Sequence, residues 1–66
     1  MRLKIDRESD ALYLRLDESK IVDSEEVTPG VVLDFNESDE VVGVEILRLS
    51  KRVSGVDLGK VSLETV

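Results

Sequence analysis

The chain has 66 residues, a net charge of −6, 36% charged residues, and neither cysteine nor histidine. Disulfides, thiol catalysis, imidazole acid–base chemistry and the common zinc and haem ligand sets are therefore excluded. A chain this short buries only roughly 60% of its unfolded surface, so self-association is the expected source of added stability.

The first element in chain order is a half-buried strand over residues 2–6, where Leu3 and Ile5 alternate with Lys4 and Asp6. Arg7-Glu8-Ser9-Asp10 is a polar turn. Ala11 to Leu16 then alternates, with Leu12, Leu14 and Leu16 on one face and Ala11, Tyr13 and Arg15 on the other. Leucine at every second position would circle a helix, but it lines one side of a strand. The two segments make a hairpin.

Asp17 to Lys20 forms a connection. Residues 21–27 read as a short edge strand or an extended loop, and their charges discourage unwanted pairing. Thr28-Pro29-Gly30 is a turn, with proline presetting φ and glycine accepting a positive one. Val31, Leu33 and Phe35 then face one way, and Val32 and Asp34 the other. Asn36 to Asp39 is a hairpin loop, and Glu40–Ile46 returns with Val42, Val44 and Ile46 inward.

After Ile46 the spacing of Ile46, Leu49 and Val53 becomes i, i+3, i+7. This predicts a short amphipathic helix of about two turns, ending at Ser54-Gly55. Residues 61–65 alternate weakly, and a final strand and a frayed tail both fit. The expected fold is α+β: an antiparallel β-meander of four to five strands, with one short C-terminal helix packed on the apolar face. Residues 1–54 form the compact domain and 55–66 a C-terminal extension. The expected core is Leu3, Ile5, Leu12, Leu14, Leu16, Leu33, Phe35, Val42, Val44, Ile46 and Leu49.

The charge is uneven. Asp17 to Glu45 holds ten acidic residues and one basic one, a net of −9, whereas residues 1–16 and 46–66 carry +1 and +2. An acidic middle opposes phosphate binding, and two aromatics are too few for base stacking, so no direct nucleic-acid role is expected. The plainer expectation is a well-hydrated surface; the sharper one is an acidic patch that docks on a basic protein partner. The first residues lack the apolar core of a signal peptide, and no stretch approaches a membrane span, so a cytoplasmic setting is expected.

Asp10-Ala11-Leu12-Tyr13-Leu14, then Thr28-Pro29-Gly30-Val31-Val32-Leu33-Asp34, then Val42-Gly43-Val44-Glu45-Ile46-Leu47 with Ser50, resemble the small prokaryotic family called domain of unknown function 2283. The resemblance spans roughly residues 3–52 in order and spacing. It departs where Ile5 stands in place of a frequent tyrosine, and it stops short of the tail beyond Val53. It implies a compact domain with no established activity. Family members often lie beside genes resembling small ribonuclease-type toxins, which implies an antitoxin-like role as an alternative.

Alternation alone places Tyr13, Arg15, Val32, Asp34, Val41, Gly43 and Glu45 on the second face of the sheet. The plainest expectation for this face is Arg15 pairing with Asp34 or Glu45 across strands, with Gly43 letting the Tyr13 ring lie close to the backbone. The sharper expectation is a homodimer interface, since tyrosine and arginine favour interfaces. A third is a metal-dependent hydrolase using the carboxylates of Asp10, Asp34 and Glu45. The leading expectation is a self-associating interaction domain, not an enzyme, with no cofactor.

Overall fold

Residues whose side chains alternate between apolar and polar build a sheet with two unlike faces. In the computed structural model, which describes residues 1–66, five strands form: β1 (Arg2–Asp6), β2 (Ala11–Arg15), β3 (Asp23–Thr28), β4 (Val31–Phe35) and β5 (Val41–Ile46). All neighbours are antiparallel, and the order across the sheet is β1-β2-β5-β4-β3.

That order corrects the expected meander. β3, β4 and β5 run as consecutive hairpins, but β5 then docks on β2, a Greek-key arrangement with β1 added outside β2. The connection over residues 16–22 crosses the end of the sheet. Leu16 donates its amide to the Val42 carbonyl (2.7 Å), and Val22 donates to Phe35 (2.9 Å).

The expected helix is absent, which makes the fold almost entirely β rather than α+β. Only one 3₁₀ turn, Leu49–Lys51, follows β5. Arg48, just before it, takes a left-handed conformation (φ 52°), which breaks helical continuity with Ile46. The Arg52 guanidinium reaches back to the carbonyls of Leu47 (2.9 Å) and Pro29 (2.6 Å). Leu47 also donates its amide to Gly30 (2.7 Å). These bonds hold the segment after β5 against the β3–β4 turn, where Gly30 has φ 78° after Pro29. Residues 55–66 carry no helix or strand. No helix is long and apolar enough to cross a membrane.

Without a helix, the apolar face has no regular second layer; only Val61 and Leu63 of the C-terminal segment lie beside it, at Leu3 and Leu14. The register puts Leu3 and Ile5 beside Leu14 and Leu12, these beside Val44 and Ile46, and these in turn beside Leu33 and Val31. Of the expected core, only Val42 is buried (3% exposed); Leu3 (46%) and Leu16 are exposed, and the others are half-buried. The other buried apolar side chain, Ala11, lies in the register of the opposite face, paired with Asp6. The groups sealed from water therefore lie mostly on the polar side and in the turns: Asp34, Gly43, Asn36 and Gly30.

Candidate functional site

Cross-strand register assembles the second face. Arg15 stands opposite Gly43, Gly43 opposite Asp34, and Asp34 opposite Ser24. One row further along, Lys4, Tyr13, Glu45, Val32 and Glu26 follow one another across all five strands. Six of the seven predicted surface residues therefore share this face. Val41 does not join their regular ladder. The register slips by one between Asp34 and Phe35, and this β-bulge brings Val41 opposite Phe35.

The centre of the face is a closed set of hydrogen bonds. The Tyr13 hydroxyl donates to Asp34 Oδ2 (3.1 Å), and the Ser24 hydroxyl donates to Asp34 Oδ1 (2.6 Å). Asp34 is 8% exposed, so both oxygens of a buried carboxylate are satisfied within the chain. Arg15 Nη1 donates to the Tyr13 hydroxyl (3.3 Å). Its Nε donates to the Asp17 carbonyl (2.5 Å), and its Nη2 donates to that of Ser19.

The expected pairing of Arg15 with Asp34 or Glu45 is thus replaced. Arg15 organises the connection after its own strand, with Glu18 as the nearest carboxylate (3.9 Å). Glu18 is held mainly by Arg2, at 2.6 Å. The Tyr13 hydroxyl raises the basicity of Arg15, and the Arg2 hydrogen bond lowers the pKa of Glu18. In the same connection, Ser19 donates its hydroxyl and amide to Asp17, lowering its pKa.

Beside this cluster lies an open groove of about 410 Å³, lined by Lys4, Asp6, Ser9, Ala11, Tyr13, Asp34 and Glu45. Ala11, small and buried, lines it beside Tyr13, whose hydroxyl reaches Asp34. Asp6 on its rim accepts from the Ser9 amide (3.1 Å) and hydroxyl (3.0 Å), and these bonds lower its pKa.

Asp10 belongs elsewhere. Its carboxylate accepts from the Ser50 hydroxyl (2.7 Å) and the Ser50 amide (2.9 Å), while its carbonyl accepts from the Leu49 amide (2.8 Å). The Ser50 hydroxyl, then the amide, depress the pKa of Asp10. Asp10 thus does for the 3₁₀ turn what an N-cap residue does for a helix, but from 40 positions away in sequence. Ser50 donates to this carboxylate rather than to its own turn. The proposed trio of Asp10, Asp34 and Glu45 is split between the two places, and no group of three carboxylates lies close enough to hold a metal ion.

Sequence reasoning missed Ser24, and it placed Ala11 on this face without giving it a part in the groove. Ser24 is one of many polar residues in an acidic stretch, and only the β3–β4 register singles it out. Ala11 is recognisable by its size alone, as the small residue beside Tyr13.

No curated protein and no solved structure matches the chain. Residues 2–50 match the family described as Protein of unknown function (DUF2283). That span ends at Ser50, the partner of Asp10, and encloses all five strands. The chain belongs to this family.

Proposed function

We propose that this chain is a protein–protein interaction domain without chemistry of its own, and that the apolar face of the sheet is its working surface. One observation carries this reading: Leu12, Leu14, Val31, Leu33, Val44 and Ile46 line one continuous face, and none is buried. A sheet with one apolar face is stable when that face packs on a second layer, and this chain supplies only Val61 and Leu63 at the Leu3–Leu14 border, leaving the rest of the face half-buried. Continuous apolar surface of this kind marks interaction sites in soluble proteins. The opposite face differs, because its buried carboxylate and its arginine already have partners inside the chain.

The test is Leu33→Glu, in the middle of the face. Association measured by sedimentation is expected to be lost, as is binding of an environment-sensitive apolar dye, with the β-sheet circular dichroism kept. Leu12→Lys serves as a second variant if the first fails to fold. Unchanged association and dye binding in a folded variant would overturn the reading.

A further inference from the structure

We propose that the layer missing from the apolar face is a second copy of this chain, packed sheet on sheet about a two-fold axis that runs parallel to the strands. The inference rests on the apolar face being the working surface and adds the identity and orientation of its partner.

Area supports the identity. A compact monomer of 7.4 kDa is expected to expose about 4,200 Å². This chain exposes 5163 Å². The surplus is on the order of 1,000 Å², and a stable interface needs about 800 Å² from each partner. The radius of gyration agrees in direction: 12.8 Å, against about 11 Å for a compact chain of this length. Part of the surplus belongs to the C-terminal segment, which adds apolar groups to the same border. Val61 and Leu63 flank Met1, Leu3 and Leu14 there, and Leu63 is 86% exposed.

Charge decides the orientation. Paired sheets pack with their strands nearly aligned, and a two-fold axis between them has two simple directions. An axis across the strands lays β3 over the partner's β3. The edge strand β3 carries Asp23, Glu25 and Glu26, all exposed, and the register places Asp23 and Glu25 in line with Phe35 and Leu33 of the apolar face. That axis would therefore set carboxylates against their own copies, which is unfavourable. An axis along the strands lays β3 over the partner's β1, whose residues on the apolar face are Leu3 and Ile5, so each carboxylate is kept away from its own copy. In this arrangement β4 covers the partner's β2, so Leu33 faces Leu14, and Val44 meets its own copy on the axis.

The experiment is a nitroxide spin label on Glu25→Cys. The native chain has no cysteine, so the label is unique, and the position is exposed on an edge strand. β3 and β1 lie at opposite edges of the sheet, so the assigned axis separates the two labels by about 20 Å, from strand spacings of about 4.8 Å and a sheet spacing of about 10 Å. The other axis brings them to about 10 Å. A dimer by sedimentation with the longer separation by pulsed dipolar spectroscopy supports the proposal. Strong dipolar broadening from close labels overturns the assigned axis. A chain that stays monomeric at high concentration, yet binds an apolar dye in a Leu33-dependent way, overturns the second copy and leaves the working surface intact. A dimer that survives Leu33→Glu overturns both.

Discussion

Gly43 lies directly opposite Asp34 in the β4–β5 pairing, and a side chain there would begin 2.8 Å from both the Asp34 carboxylate and the Tyr13 hydroxyl. The missing side chain is the space in which those two groups meet. Gly43→Ala is therefore expected to destabilise the chain by about 1–3 kcal/mol, despite alanine's better backbone propensity. Urea denaturation checks it; an unchanged or raised midpoint contradicts the account.

Tyr13→Phe keeps the ring and removes one of the two hydroxyls that serve the buried Asp34 carboxylate. A hydrogen bond to a charged group contributes about 1.5–3 kcal/mol, and the loss is expected in that range. Ser24→Ala removes the other donor. Because both act on one carboxylate, the double variant should depart from the sum of the singles, and additivity within error would show that they are not one unit.

Asp6, Asp10, Asp17 and Glu18 all have pKa values lowered by hydrogen bonds formed on folding. Each binds a proton less readily in the folded chain than in the unfolded one. The stability they contribute is complete above the ordinary values of 3.8 for Asp and 4.5 for Glu, and it is lost as pH falls through the lowered folded values. Unfolding midpoints should hold from about pH 7 to 5 and drop below about pH 4. Asp10→Asn should cost stability at neutral pH, with a gap from the parent that narrows towards pH 3. A gap that stays constant across the titration would mean the Ser50 bonds do not depend on the charge of Asp10.

Asn36 is buried in the β4–β5 loop, and its side chain adds three hydrogen bonds to the two main-chain ones that close the loop. Its Oδ1 accepts from the amides of Ser38 and Glu40, and its Nδ2 donates to the Glu40 carboxylate, all at 3.0 Å. Asn36→Ala strands two amides and is expected to cost about 1–3 kcal/mol. Amide exchange should show the loss first at Ser38 and Glu40, and unaltered protection there would refute the assignment.

Strand positions were legible in the sequence because alternation is a local property. The segments read as 2–6, 31–35 and 40–46 match β1, β4 and β5 closely, and Pro29-Gly30 sits in the turn it predicts. Strand order was not legible, since alternation states which face a residue takes but not which strand lies beside it. The helix failed for a physical reason. Ile46, Leu49 and Val53 have helical spacing, but the segment is too short to pay its own nucleation cost. Arg48 turns left-handed, and Asp10 captures the Ser50 amide from across the fold. The second face was legible residue by residue through Tyr13, Asp34 and Gly43. Its bonding was not, because the partners Ser24 and Ser19 are defined by register and loop geometry.

The position of β5 also bears on how the chain is made. β5 is the last strand in sequence and the middle strand of the sheet. Until it emerges from the ribosome, β1–β2 and β3–β4 are two separate hairpins with no strand between them, and isolated hairpins are marginal in water. The nascent chain therefore has little to fold until residues 41–46 are free, and the sheet then closes around them from both sides.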